Sequence, residues 1–315
     1  MKKIIEVKNL SKKYGQLTAV DNISFYVEKG KVFGLLGENG AGKTTTLEMI
    51  EGLRKPTCGK IKVLGKNTLT EINSVKEKIG VQLQSSAYFQ YLTLIEILDL
   101  FGSFYKKSVK PLELLKLVDL QDKANSYVNK LSGGQKQRFS IVASLINDPE
   151  VVFLDEPTTG LDPLARRHLW EIIQNIHNQG KTIILTTHYM EEAEVLCDRI
   201  AIMNLGKLLV IGETNQLLEK AKYPFRLTFI LKNKRLTPKD KTIFKKIETC
   251  GKLSLINKEI NMYELNLSDK NHLDTALKTV HELNPDSFTV GKAKLEDLFI
   301  ELTGKKIAQD GENNA

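Results

Sequence analysis

Along the first 220 residues, apolar and polar positions group into segments that predict strands and helices in turn. Residues 3–8 read as a strand, and residues 17–28 hold another in which Ile23, Phe25 and Val27 alternate with polar neighbours. After a turn at Lys29-Gly30, residues 31–36 form an apolar strand that runs straight into G-E-N-G-A-G-K-T and a helix-compatible stretch over 44–52. A short strand is expected over 59–65, and Leu, Ile and Phe recur at helical spacing over 92–105 and 111–119. Beyond Pro149, V-V-F-L is a continuous apolar run of the kind buried on both faces of a sheet. Residues 163–179 predict an amphipathic helix ending at Gly180, residues 182–185 the next buried strand, and an acidic helix starts at Glu191. The segment A-I-M-N-L-G-K-L-L-V-I-G-E then reads as a hairpin. Strands alternating with helices predict an α/β domain with a largely parallel core sheet.

Near Tyr223-Pro224 the pattern changes. Strands are expected over 225–231, 252–257, 262–267 and 286–290, and helices over 238–249, 271–283 and 293–303. The first six of these elements in chain order give β-α-β-β-α-β, the order of a ferredoxin-like unit, with an amphipathic helix closing it. The expected organisation is therefore a main domain over 1–220, a small C-terminal α+β accessory domain over 221–305, and a disordered tail over 306–315.

Composition changes this picture little. Hydrophobic residues make up 41% and charged residues 27%, ordinary globular usage that supports a sizeable core. The net charge of +8 is spread along the chain as short Lys pairs, which reads as a solvated mixed-charge surface and predicts no stable nucleic-acid partner. Cys58, Cys197 and Cys250 stand far apart and form no C-x-x-C or Cys/His cluster, so reduced thiols in a cytoplasmic setting are expected, with no zinc site. The start M-K-K-I-I-E-V does not read as a signal peptide, and no apolar run approaches the roughly 20 residues of a membrane span. Any membrane-spanning part is expected on another chain.

The candidate chemistry lies in three places. Gly37-Glu38-Asn39-Gly40-Ala41-Gly42-Lys43-Thr44 matches G-x-x-x-x-G-K-[ST] between a strand and a helix. In that pattern the glycines let backbone N–H groups cradle phosphate oxygens, Lys43 reaches the β- and γ-phosphates of ATP, and Thr44 ligates Mg²⁺. Residues 151–156, V-V-F-L-D-E, put two carboxylates at the end of a buried strand, where α/β sheets bind ligands. Asp155 is the candidate for Mg²⁺, and Glu156, expected on the sheet's other side, for polarising the attacking water. Third, Leu131-Ser132-Gly133-Gly134-Gln135 offers a hydroxyl and two glycines, which taken alone would read as a loop.

With these three motifs together, the chain resembles the ATP-binding cassette family over roughly residues 3–220. The resemblance implies a P-loop cassette with an antiparallel β subdomain and a helical subdomain over about 85–145. It also implies that Gly37, Glu38, Asn39, Gly40, Ala41, Gly42, Lys43, Thr44 and Thr45 hold ATP. Ser132, Gly133, Gly134 and Gln135 would meet the γ-phosphate bound by a second copy of the chain or a paralogous ATPase subunit. Tyr14, in K-K-Y-G, resembles the aromatic that stacks on adenine, with plain packing as the alternative. Gln84, in I-G-V-Q-L-Q-S-S, resembles the glutamine that senses Mg²⁺ and the attacking water, with Gln82 a nearby competitor. Asp162, in G-L-D, resembles the loop that contacts the opposite subunit. His188, after T-I-I-L-T-T, resembles the histidine that touches the γ-phosphate.

The ending L-E-D-L-F-I-E-L-T-G over 295–304 looks like that of ABC-2-type exporter ATPases, which serve drug and antibiotic efflux and antimicrobial-peptide immunity among other tasks. This likeness implies a transport-coupled ATPase, peripheral on the inner face of the cell membrane through a separate permease. The uncharged aromatic stretch Tyr88, Phe89, Tyr91 and Leu92 is the candidate docking surface, an internal helical packing role being the alternative. Two other classes stay open on the residues alone: a soluble ATPase of the same superfamily acting on nucleic acid or an assembly machine, and a nucleotide-gated binding module with little turnover.

Overall fold

The computed structural model describes residues 2–83, 88–219, 221–231 and 237–304. The chain divides into two compact units, the second beginning at Thr214. The expected tail over 306–315 lies outside the described residues.

The first unit is organised around strands with no polar face. β3 (Val32–Leu36), β7 (Val151–Asp155) and β8 (Thr182–Thr187) are buried at every position. Their unbroken apolar runs therefore need cover on both sides of the sheet. They sit in a six-stranded sheet of order β10 (Lys207–Glu213), β9 (Arg199–Asn204), β3, β8, β7, β6 (Ile79–Gln82). The five strands from β9 to β6 are parallel, and β10 turns back antiparallel on β9 as the hairpin expected from the sequence.

An antiparallel sheet of order β2 (Leu17–Glu28), β1 (Lys3–Tyr14), β4 (Cys58–Val63), β5 (Lys66–Asn67) lies against the core. The alternating Ile23, Phe25 and Val27 of β2 are its inward face, and Phe25 stacks on Phe33 of β3 with ring centroids 5.2 Å apart.

Parallel strands require crossover helices, and the chain supplies them: α1 (Lys43–Glu51) after β3, α2 (Ile72–Lys76) before β6, α6 (Pro163–Asn178) between β7 and β8, and α7 (Met190–Leu196) before β9. The β6–β7 crossover is long and carries α3 (Leu94–Gly102), α4 (Pro111–Leu117) and α5 (Gly133–Ala143). Thr93 with Glu96, and Ser132 with Gln135, form reciprocal capping boxes at the starts of α3 and α5. The strand register pairs Leu36 with Thr187 and Asp155 with Thr186. The residues that follow these strand ends, Gly37, Glu156 and His188, therefore emerge side by side on one edge of the sheet.

The second unit starts with α8 (Thr214–Glu219) and continues in the order β11 (Phe225–Ile230), α9 (Pro238–Cys250), β12 (Gly251–Asn257), β13 (Met262–Leu267), α10 (Lys270–His281), β14 (Ser287–Lys292), α11 (Leu295–Thr303). Its sheet runs β12-β13-β11-β14 with every pair antiparallel. Leu227 and Phe229 of β11 pack with Ile243 and Ile247 of α9 and Leu273 and Val280 of α10. Arg226, on the other face of β11, pairs with Asp297 of α11 and lies 3.3 Å from Glu264.

One buried group works against the fold. Glu51, the last residue of α1, is 2% exposed, and its Oε1 has no hydrogen-bond partner. Burial, then the charges of Asp155 and Glu48, push its carboxyl from 4.5 up to about 8. At neutral pH the folded chain holds a proton there that the unfolded chain releases. This contribution to stability is thus fullest below about 4.5 and is lost as pH rises toward 8. Glu51→Gln is expected to raise stability at pH 7 by about 3–4 kcal/mol, from roughly 1.4 kcal/mol per pH unit over the 2.5 units above 4.5, and to leave it unchanged near pH 4.5. Urea midpoints of both proteins across that range measure the effect; parallel pH profiles would refute it.

Candidate active site

The loop after β3 is shaped by contacts that only glycine allows. A Cβ on Gly37 would lie 2.4 Å from the Met203 carbonyl oxygen, and one on Gly42 2.5 Å from that of Ala19. Gly40 and Gly42 have φ of 81° and 100°, in the left-handed region. Gly42 caps α1 without a side-chain hydrogen bond, so the first-turn N–H groups of the helix remain available to an anion at the positive end of its dipole. Asn39 and Gly40 are exposed at the loop's tip, Ala41 is buried, and Thr45 is half-buried on α1.

Lys43, 4% exposed, reaches back across the loop. Its Nζ donates to the carbonyls of Gly37 (2.8 Å) and Glu38 (3.1 Å) and lies 3.2 Å from Glu156 Oε1. Burial lowers the lysine's pKa, and the facing Glu156 carboxylate counters that loss. Glu156 Oε2 accepts from Thr159 Oγ1 at 3.0 Å and lies 3.1 Å from His188 Nδ1. Burial opposes ionisation of Glu156, but the His188 hydrogen bond and the Lys43 charge outweigh it and hold the carboxyl at about 2. An ionised carboxylate only accepts, so His188 Nδ1 carries the hydrogen.

Alternation along a strand would have sent Glu156 to the other side of the sheet from Asp155. Instead the strand ends at Asp155, and Glu156 adopts φ of 47°. The reversed backbone brings both carboxylates to the start of α1, Glu156 against Lys43 and Asp155 Oδ1 3.2 Å from Thr44 Oγ1. Thr186 Oγ1 donates to the same Asp155 oxygen and accepts from the Glu156 N–H at 3.0 Å.

The carboxyl of Asp155 is pushed up by burial, and the Thr186 and Thr44 hydrogen bonds only partly offset this. A carboxylate and a hydroxyl side by side fit Mg²⁺. That ion takes one or two protein oxygens and completes its shell with water and phosphate. No cluster of three or more His, Cys, Asp or Glu that could hold a metal by itself exists among the described residues.

The other expected residues are more dispersed. Tyr14 ends β1 as a half-open ring, with Lys12 Nζ 5.0 Å and Arg54 Cζ 5.5 Å from its centroid. Ser132 and Gly133 are exposed, Gly134 and Gln135 half-buried, and the Ser132 hydrogen bonds stay within its capping box. Beside them is the G-L-D loop: a Cβ on Gly134 would lie 3.7 Å from Ala165 and 4.0 Å from Leu161. Asp162 caps α6, accepting from the N–H groups of Leu164 and Ala165. Gln84 lies outside the described residues; its competitor Gln82 is buried and donates to the Leu83 carbonyl at 2.7 Å.

Sequence reasoning missed a supporting layer. Glu192 of α7, fully buried, accepts from Thr158 Oγ1 at 2.8 Å and from Trp170 Nε1 at 3.1 Å, tying the Glu156–Asp162 loop to α6 and α7. Arg166 stacks on Tyr189, 3.9 Å from its centroid, and that ring lies 4.1 Å from His188. The paired threonines of T-I-I-L-T-T and the acidic pair after His188 were the only signals for these.

A second concavity, a groove of about 440 Å³, lies between the end of α1, β6 and the long crossover. Leu53, Val81, Tyr88, Phe101 and Phe104 are among the residues lining it. Of the aromatic stretch, Tyr88 packs edge-on to Phe139 with centroids 5.1 Å apart, whereas Phe89 and Tyr91 are exposed, the latter by 89%.

Known proteins resemble this chain in sequence and in fold. Residues 20–159 match the family described as ABC transporter. The chain is 42% identical over 221 residues to the Nod factor export ATP-binding protein I of Rhizobium leguminosarum bv. viciae, covering 69% of this chain and 71% of that one. It is 35% identical to the linearmycin resistance ATP-binding protein LnrL of Bacillus subtilis (strain 168), covering 96% of this chain and 99% of that one. Among solved structures, an ATP-binding subunit of an ABC transporter superposes with a TM-score of 0.62 at 31% identity, over 68% of this chain and 91% of that one. An ATP-binding cassette solved as a dimer in a post-hydrolysis state with ADP and Pi superposes with a TM-score of 0.61 at 28% identity, over 66% and 98%.

Proposed function

The chain belongs to the ABC transporter ATP-binding family, and on that premise we propose that it is the ATP-hydrolysing subunit of an exporter, driving a separate membrane-spanning permease. The observation that carries the reading is the meeting of Lys43, Glu156 and His188 beside the Asp155–Thr44 pair at the start of α1. The loop from Gly37 to Thr44 binds the ATP phosphates through its N–H groups, Lys43 turns from Glu156 to the β- and γ-phosphates, and Tyr14 stacks on adenine. Thr44 and Asp155, with Gln84, would hold Mg²⁺, which supplies neutralisation of charge across the transferred phosphoryl group. Glu156 aligns a water and takes its proton as the oxygen attacks the γ-phosphorus and the bond to ADP breaks. His188 holds Glu156 in place through Nδ1–H and faces the γ-phosphate.

Catalysis in this scheme needs two copies. Ser132 and Gly133 are exposed at the start of the eleven-residue α5 and bond only within their own turn, which suits a helix end offered to a phosphate on another chain. Two chains would close head-to-tail around two Mg-ATP, with Asp162 at the contact. Glu156→Gln with Mg-ATP is expected to sediment as a dimer, and Ser132→Arg in that background as a monomer that still binds ATP. A dimer in both would place the contact elsewhere.

Export is supported by the relatives, whose names describe Nod factor export and linearmycin resistance. Among the described residues no helix is long and apolar enough to cross a membrane, so a permease on another chain is part of the reading, and this chain would work at the membrane's cytoplasmic face. Phe89, Tyr91 and the neighbouring groove are the proposed docking surface for that permease.

A further inference from the structure

Glu51 stands apart from the nucleotide chemistry. It lines the groove of about 440 Å³, makes no ion pair among the described residues, and has a carboxyl oxygen with no hydrogen-bond partner. Other groove residues form an aromatic row: Tyr88, Phe101 and Phe104, with successive centroids 6.3 and 6.5 Å apart and Phe104 69% exposed. Glu51 also ends α1, where the negative end of the helix dipole adds to its own demand for a cation.

We propose that Glu51 and this aromatic row recognise one arginine side chain, presented by a cytoplasmic helix of the permease that seats in the groove. The proposal rests on the exporter reading above and names the chemistry of its docking contact. A carboxyl enclosed without a partner is costly until a donor or cation reaches it. Guanidinium suits the site better than ammonium: it is planar, stacks on aromatic faces, and can fork two N–H groups onto a carboxylate. Such an arginine would restore ionisation of Glu51, which burial and the nearby Asp155 and Glu48 otherwise suppress. It would also bind at one end of the nine-residue helix whose other end meets the phosphates.

The full chain, tagged and co-expressed with its membrane subunit, tests this. Recovery of that subunit is expected to fall about tenfold with Glu51→Gln and to vanish with Glu51→Lys, while urea midpoints of both variants show them folded. Changing one cytoplasmic arginine of the membrane subunit to glutamate should restore recovery with Glu51→Lys and abolish it with the parent chain. Equal recovery by the parent and both variants overturns the assignment of Glu51 and leaves the exporter reading intact. Failure of the parent chain itself to recover any membrane subunit overturns the exporter reading, and the assignment with it.

Discussion

Glu156→Gln is expected to bind ATP at least as well as the parent and to hydrolyse it about 10²-fold more slowly or worse, the usual scale for losing a general base. The amide keeps the side chain's shape and can still accept from Thr159 and His188, so the loop should hold its form. What it loses is a carboxylate that the ligand-free chain, with Lys43 and His188 beside it, holds at about 2. The exchange also removes the counter-ion of Lys43, leaving the ammonium freer for phosphate. Phosphate release and equilibrium ATP binding, measured on the same preparation, separate the two effects. Hydrolysis within threefold of the parent would move the base to His188.

Lys43→Ala should fail at the earlier step. Truncating one partner of a buried charge contact typically costs about 2–5 kcal/mol, so ATP affinity should fall by about 30-fold or more. The same change leaves Glu156 enclosed without its cation, which should destabilise the ligand-free chain by about 3–5 kcal/mol. Combining Lys43→Ala with Glu156→Gln separates these losses: the double variant is expected to regain stability, since position 156 no longer carries an unpaired charge, but not ATP binding. Affinity within threefold of the parent for Lys43→Ala would remove Lys43 from the phosphate site.

Much of this was legible in the sequence because the elements are strongly patterned. The unbroken runs around Leu35, Phe153 and Ile184 could only be buried strands, and the C-terminal β-α-β-β-α-β order survives in β11 to β14 with small shifts at the ends. β6 was not read, because I-G-V-Q is short and ends in a polar residue; only its pairing with β7 makes it a strand. The motif residues Lys43, Asp155, Glu156 and His188 were found, but their geometry was not. A positive φ at a glutamate has no local signature, so alternation sent Glu156 the wrong way. Thr186, Thr158 and Glu192 were invisible for a related reason. A hydroxyl or an acid becomes a support only through neighbours distant in sequence, and one chain carries no record of those.

The buried link between Thr158, Glu192 and Trp170 has an optical consequence. The chain contains one tryptophan, and its indole N–H is bonded to the carboxyl that also holds the loop following Glu156. Its emission therefore comes from a single, water-shielded position whose colour depends on that bond. Excited alone, Trp170 is a built-in, label-free gauge of how the loop between Glu156 and Asp162 responds to each ligand. The time course of loop rearrangement can then be followed by stopped-flow fluorescence in the unmodified protein.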